Sequence, residues 1–464
     1  MNLAPPDGLP DRSVPPAYDA LLEPDGTITA SEMSYREFYR DPELNAIIAQ
    51  ALAQNRDLMI ATARIEQARA RFRIEDSNRL PNAVATGSVV RTRQALLDDG
   101  AAVGAAEDGA QQSNSVTSTR YDIGVGVSSF ELDFWGRLRN LSDAARAEYL
   151  SSVAAQQAFY LSLVADTATT YFDIVETNEQ IELAEATAVS RRDGLRIARL
   201  RLDAGVTSAL PFRQAESLLT QAEQQLSAEK LVLAQLRNQL SVLVGNAVPS
   251  AIGEGASLAD FNDDRRIFAG ATSELLLARP DILAAEETLR GARANIGAAR
   301  AAFFPSISLT GSAGLASSDR GGLFGSDGFG WSFGPTISLP IFDAGARLAD
   351  LNLAEALETE QVANYQLTIQ NAFREVSDAL AGRKYLAEQI EVLNRAVSAQ
   401  ERIARIARLR YREGVADYLE VLDAERNLFA AQQQLLEVNR LWLQNRTTLF
   451  VALGGGIGSP SRTD

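Results

Sequence analysis

Cysteine and histidine are both absent from this 464-residue chain. Without cysteine there is no disulfide, no thiolate nucleophile and no sulfur-ligated metal. Without histidine the chain lacks the commonest general base and the commonest transition-metal ligand. Basic residues are in deficit: 44 Lys and Arg face 60 Asp and Glu, for a formal charge of −16. That is the reverse of the basic footprint that nucleic-acid binding needs. No apolar run approaches the roughly 20 residues of a membrane helix, so contact with a bilayer core would fall to strands. The opening "MNLAPPDGLPDRSVPPAY" lacks the basic-then-apolar order of a secretory signal. It reads as an extended, proline-rich lead-in.

What is present is Ala, Leu and Gln with evenly spread Arg and Glu, a composition of long helices, and it is arranged twice. The stretch "LRLDAGVTSALPFRQAES" at 200–217 returns as "LRYREGVADYLEVLDAER" at 409–426, an offset of 209 residues. The same offset relates Gly136 to Gly345 and Gly245 to Gly454. Upstream it becomes 224, pairing Pro81 with Pro305 and Asp57 with Asp281. The first copy therefore carries about 15 extra residues, placed in the small, polar stretch 95–119. This is a tandem duplication of one large unit.

The order of parts follows from the repeat. An extended N-terminal segment covers 1–40. The first repeat, 41–250, has helices at 57–79, 137–202 and 207–245 and strands near 82–92 and 120–134. A linker spans 251–272. The second repeat, 273–455, has helices at 281–303, 346–412 and 416–453 and strands near 306–315 and 330–342; a flexible tail covers 456–464. Residues 137–202 carry heptad-like apolar spacing (Leu161, Val164, Ala168, Tyr171, Val175) without an internal proline. Such a helix spans ~100 Å at 1.5 Å per residue, close to the two shorter helices of the same repeat laid end to end. That match suits the wall of a tall cylinder.

The extended segments alternate with period two. In "SISLTGSAGL", Ile307, Leu309, Ala313 and Leu315 share one face and Ser306, Ser308, Thr310 and Ser312 the other. "WSFGPTISLPIF" and "YDIGVGVSS" alternate likewise, whereas "NAVATGSVV" does so weakly. Runs of about ten residues, apolar outward and small-polar inward, are what a membrane β-barrel requires. Tyr121, Phe134, Trp135, Trp331 and Phe342 fall near strand ends, as membrane-interface aromatics do. Four strands are too few for a membrane barrel, whose smallest examples have about eight, so the chain must oligomerise. The expected fold class is α with a membrane β-barrel, built on a duplicated helix–hairpin–helix–helix unit. Three copies would form a 12-stranded β-barrel and a 12-helix α-barrel tunnel.

The duplicated order, together with "ARPDILAAEETLRGARANIGAARAAFFPSISLTG", "SFELDFWGRLRN", "LPIFDAGARL" and the twin "GV" turns, resembles the TolC family of outer-membrane channel proteins. The likeness is to its lipoprotein (NodT-like) branch in RND-type efflux systems and covers about residues 20–455. It implies a homotrimer with a short β-barrel in the bacterial outer membrane, continued by a helical tunnel into the periplasm. It also implies export of drugs or other small molecules with a periplasmic adaptor and an inner-membrane pump of the RND type. Protein secretion of type I and heavy-metal efflux are the alternatives within the family. The branch's N-terminal lipid anchor would precede Asn2, outside this sequence. No cofactor and no nucleic-acid partner is implied, and outer-membrane lipid is.

The resemblance maps an adaptor-docking tip motif onto Arg201, Leu202, Gly205 and Val206, and onto Arg410, Tyr411, Gly414 and Val415. Glycine suits the positive φ that ends a helix, and Ser208 or Asp417 can cap the next one. Just beyond the second tip, Glu420 and Asp423 are three apart and share a helix face. The first copy has Pro211 and Gln214 there, so the charge is confined to one tip per chain. In a trimer this makes a negative ring, placed by the resemblance at the periplasmic constriction, that would favour cations. Tyr411 and Arg410 match positions that could latch a closed state, although the family's basic latch residue beyond the glycine is Ala416 here.

No catalytic constellation and no metal site is found. "GGLFGSDGFG" at 321–330 lacks a phosphate-loop lysine and reads as a barrel loop. Asp98, Asp99, Glu107 and Asp108 read as solvated loop carboxylates. Three methionines and no histidine argue against a route for copper or silver. A soluble coiled-coil scaffold would explain the helices but not four alternating strands at matched repeat positions.

Overall fold

The structure, a computed structural model, describes residues 2–6, 8–10, 14–15, 28–29, 33–95, 115–261, 267–268, 279–319, 321–325 and 328–456. Most of the expected 95–119 loop, with its four acidic residues, and nearly all of the 456–464 tail lie outside the described residues. So do parts of the 1–40 segment, the 251–272 linker and the 321–330 loop. Along the chain come β1 (Ile28–Thr29), α1 (Tyr35–Phe38), α2 (Pro42–Gln54), α3 (Arg56–Ser77), β2 (Ala83–Ala95), β3 (Ser115–Glu131), α4 (Arg137–Asp203) and α5 (Ala209–Val244). They are followed by β4 (Ile267–Phe268), α6 (Pro280–Ala301), β5 (Ser306–Ser317), β6 (Phe329–Ser338), α7 (Ala346–Arg412) and α8 (Tyr418–Ala452).

The duplication is visible in the helix lengths. Helices α3 and α6 each have 22 residues, α4 and α7 each 67, and α5 and α8 have 36 and 35. The repeat-related glycines 136/345, 205/414 and 245/454 all have positive φ. Helix ends are thus fixed at the same places in both copies.

Two compact units result, and α3, α4, α6 and α7 have residues in both. The first unit comprises Met1–Gly8, Gln67–Tyr149 and Thr288–Gln361. It holds a four-stranded antiparallel sheet of order β2-β3-β5-β6. Each repeat supplies one hairpin, and the two hairpins join through β3 and β5 with a bulge between Val127 and Phe130. Strands β2 and β6 form the margins of this sheet.

The second unit comprises Leu9–Glu66, Leu150–Glu287 and Val362–Asp464. The heptad residues Leu161, Val164, Ala168, Tyr171 and Val175 are all buried in it, as the spacing requires. Val164, Ala168, Tyr171 and Val175 pack in one core with Leu44, Ile48, Leu240, Ile282, Tyr365, Val376 and Phe450. The pair β1–β4 is parallel and lies in the same unit.

Two elements depart from the sequence reading. Tyr35–Phe38, expected within an extended segment, is a helix whose first turn is closed by a capping box between Ser34 and Glu37. Pro42–Gln54 is a further helix that the reading omitted, although Asp41 caps it by accepting from the Leu44 amide at 2.6 Å and Pro42 opens it. Burial explains both. Tyr35, Tyr39, Leu44 and Ile48 all enter the core, and Tyr171 donates to Glu43 at 2.8 Å. The remaining helix and strand limits shift by a few residues. The largest changes are β3, which begins at Ser115 and ends at Glu131, and β6, which ends at Ser338 before Pro340.

Candidate functional site: helix tips and the outward sheet face

The two tips are built alike. After α4, the Val206 amide donates to Arg201 O at 3.0 Å and the Gly205 amide to Leu202 O at 2.9 Å. After α7, Val415 donates to Arg410 O at 2.9 Å and Gly414 to Tyr411 O at 3.1 Å. This is the Schellman closure, and it needs φ of +70° at Gly205 and +74° at Gly414. Ser208 and Asp417 occupy the N-cap positions of α5 and α8 in extended conformation, but neither makes the side-chain cap bond expected of it. The Schellman bonds satisfy the last carbonyls of α4 and α7 and leave the first amides of α5 and α8 without a side-chain cap.

The tips present apolar side chains to solvent. Val206 and Val415 are 72% and 71% exposed, and Leu210 and Leu419 are 64% and 58% exposed. Each pair is related by the repeat. Beneath them, Ala198, Ala215, Ala404, Ala407 and Ala424 let the helices approach closely, with Tyr411, Tyr418, Val421 and Leu422 filling the centre.

The acidic residues do not stand as an unpaired set. Glu420 Oε1 meets Arg410 Nη1 at 2.7 Å, and Asp423 Oδ1 meets Arg426 at 2.6 Å. Asp423 Oδ2 also accepts from Asn427 at 3.3 Å. The expected shared negative face is therefore divided into two ion pairs within one chain. All four side chains are well exposed, so each pair holds on the order of 0.2–1 kcal/mol and can be exchanged. Arg410 thus joins Glu420, while Tyr411 is engaged elsewhere: the Arg201 guanidinium lies 4.4 Å from its ring centre, and its ring is 5.0 Å from that of Tyr418.

Two participants, Tyr418 and Arg191, were missed in the sequence, and so was one contact of an expected tip residue. Arg201 joins the first tip to the Tyr411 of the second. Tyr418 fits because Gly194 faces it: a Cβ on Gly194 would lie 2.7 Å from the Tyr418 hydroxyl. The signal was available, since the repeat partners are Ile403 for Gly194 and Ala209 for Tyr418, a bulk exchange between copies. Burial, then the neighbouring Glu425 and Tyr411, push the Tyr418 phenol up to about 12. Arg191 is buried, with Nη1 donating to Leu218 O at 2.8 Å and its guanidinium over the Phe429 ring at 5.5 Å. A cavity of about 260 Å³ lies among Gly194, Arg201, Tyr411, Tyr418 and Glu425.

In the sheet unit, register sorts the side chains by face. One face carries the rungs Ala83–Val127–Gly311–Phe333 and Ala85–Val125–Ala313–Trp331. The opposite face carries Thr86, Gly124 and Gly314 on one rung and Ser312 with Ser332 on another, their hydroxyls 2.8 Å apart. The apolar face is open to its surroundings, with Trp331 at 74% and Ile337 at 69% exposure. The polar face also holds an ion pair that the reading did not foresee, Arg120 to Asp122 at 2.8 Å.

The aromatics divide. Phe134, Trp331 and Phe342 are exposed. Tyr121 is half-buried and stands within β3, opposite Val89 and Ser317, instead of at a strand end. Trp135 is also half-buried: it stacks on Phe304 at 4.6 Å and donates to Pro305 O at 2.9 Å, a packing role. Strand β2 pairs along 13 residues, and its alternation is weak because Val84 and Val90 lie on the polar face beside Thr86 and Ser88.

Among the described residues no group of three or more Asp or Glu could hold a metal ion, and no helix is long and apolar enough to cross a membrane. An antiparallel sheet with an exposed apolar face, together with two 67-residue helices that end in matched tips, is what a channel-forming membrane protein requires. Comparison with known proteins gives the family. The sequence model described as "Outer membrane efflux protein" matches residues 47–246 and 271–455, and the chain belongs to that family. It is 41% identical over 91% of its length to the solvent efflux pump outer membrane protein SrpC of Pseudomonas putida, covering 87% of that protein. It is 37% identical over 98% of its length to the cation efflux system protein CusC of Escherichia coli K12, covering 96% of it. Its fold superposes on the open state of the Neisseria gonorrhoeae MtrE outer membrane channel with a TM-score of 0.87, at 34% identity and 98% coverage of both chains. The protein is an outer-membrane efflux channel, and its fold class is the one expected from the duplication and the strands.

Proposed function

We propose that three copies of this chain close one duct through the outer membrane, the passive exit of a tripartite efflux pump. The carrying observation is the sheet itself. Strands β2 and β6 are margins, and in lipid every backbone N–H and C=O must find a partner. Joining β6 of one copy to β2 of the next satisfies both margins, and three copies give twelve strands. No chemistry is asked of such a duct.

The tips are the docking surface for a periplasmic adaptor, which would bring an inner-membrane pump of the RND type. Their support is the repeated exposure of Val206, Val415, Leu210 and Leu419 on Schellman turns of matched geometry. Arg201, Leu202, Gly205, Arg410, Tyr411 and Gly414 frame these side chains. Apolar solutes, including drugs, are the substrates we favour. The solvent efflux relative points this way, and the chain holds no Cys, no His and three Met with which to pass soft metal ions. The CusC relative supports metal efflux as the second reading.

Glu420 and Asp423 act at the periplasmic mouth, with Arg410 drawing Glu420 back in the resting state. In planar bilayers the wild-type channel should prefer cations, and Glu420→Gln with Asp423→Asn should lose that preference while Arg410→Gln strengthens it. Unchanged selectivity in both variants would remove these residues from the mouth.

A further inference from the structure

The outward face of the sheet changes character at its end. On that face β2 and β3 present Ala83 with Val127, Ala85 with Val125, Gly87 with Ile123, and Val89 with Tyr121. The next two rungs pair Arg91 with Thr119 and Arg93 with Thr117. Both arginines are exposed, and Arg93 Nε donates to Ser115 Oγ at 3.0 Å, which keeps its guanidinium on this face. The repeat makes the substitution plain. At the offset of 224 residues, Arg91 corresponds to Leu315 and Arg93 to Ser317. Two charges thus stand where the second hairpin continues its apolar row or stops.

Their height can be reckoned from the sheet. The outward row of β5 runs from Ile307 to Ser317, which is level with Tyr121. Ten steps of ~3.3 Å at a tilt of about 40° rise roughly 25 Å, the height of the apolar band of an outer-membrane barrel. Arg91 is the first outward rung of β2 beyond that band and Arg93 the second, about 6.6 Å further along the strand. They lie at the margin away from the helices that enter the sheet at Ser77 and Arg137, hence on the outer-leaflet side. The polar face at this level is self-sufficient, because Arg120 is paired with Asp122 at 2.8 Å. The rungs that carry Arg91 and Arg93 hold the hydroxyls of Thr119 and Thr117 and no carboxylate, and Ser115 follows on the next rung, opposite Ala95.

We propose that Arg91 and Arg93 form a binding site for the phosphate groups of outer-leaflet lipid headgroups. A guanidinium offers a planar fork that matches phosphate oxygens two at a time, and it is more weakly hydrated than an ammonium. Thr117 and Thr119 add donors on the same rungs. The site rests on the reading of this sheet as the membrane wall, and it would fix the depth and rotation of each protomer against the lipid. It is unique to the first repeat, so a trimer carries three such sites at equal spacing.

The test uses the full chain, purified in detergent and titrated with lipid A bearing two phosphates or with the same lipid after phosphatase treatment. Wild type should retain the phosphorylated lipid more strongly, and affinity should fall roughly tenfold for each arginine removed in Arg91→Gln and Arg93→Gln. The double lysine variant should recover only part of the loss. Equal binding of both lipids by wild type, or equal binding by wild type and the double glutamine variant, would overturn the site. So would full displacement by millimolar inorganic phosphate, which would make it a free-anion site. Bilayer conductance of the same samples separates the two levels: channels that conduct yet show no phosphate preference refute this site alone, whereas protein that never conducts refutes the membrane wall beneath it.

Discussion

Valine at both Gly205 and Gly414 should reduce resistance to apolar toxicants to that of cells lacking the channel, while the protein stays folded in the outer membrane. The reason is conformational and local. Both glycines sit at φ near +70°, and no neighbouring atom would lie within about 4 Å of a Cβ at Gly205, so the obstacle is the backbone and not space. A β-branched residue in this region costs on the order of 1–3 kcal/mol at each turn. The Schellman bonds from Val206 and Val415 would open, and the exposed valines and leucines would no longer stand in matched positions. Asparagine at the same sites tolerates the left-handed region and should restore most of the resistance. That rescue separates turn geometry from mere loss of a glycine. Silver tolerance measured in the same strains distinguishes the favoured substrates from soft metal ions. Resistance retained in the double valine variant would remove the tips from docking.

Neighbouring residues of β6 should respond in opposite ways to the same substitution. Phe333→Arg places a charge on the apolar face, on the rung of Gly311 near the middle of the band. An arginine at the bilayer midplane of a barrel costs about 2–4 kcal/mol, and the cost recurs in each of three copies. Assembled channel in the outer membrane should fall below detection by semi-native electrophoresis. Ser332→Arg, one residue away, points to the polar face, where Arg120 and Asp122 already reside. It should assemble normally and lower conductance by narrowing the bore. A one-residue change of face is the signature of a strand. Equal tolerance of both substitutions would place this sheet outside lipid.

Much of this was legible because duplication doubles every signal. The paired glycines gave the helix ends twice, and positive φ at all six confirms that each was chosen for its backbone. The strands of the second repeat were clear from strict alternation, whereas β2 was faint because valines occur on both of its faces. Helix α2 was missed because Pro42 reads as punctuation, although the Asp41–Pro42–Glu43 order is a helix start. At the tips, spacing along a single helix put Glu420 beside Asp423, but it carried no news of Arg410, ten residues back and across a turn. Arg201 over Tyr411 was still further from view, since it joins α4 to α7. Contacts between helices depend on rotation about each axis, which a periodic sequence leaves open by a residue or two.

The proposed duct depends on a sheet that one chain cannot close. Native mass spectrometry of the protein released intact from membranes in detergent tests this most directly. Chains of 50.1 kDa should appear as a single species of three copies, about 150 kDa, that resists dilution. A folded particle of one chain, stable when the detergent is withdrawn, would contradict it.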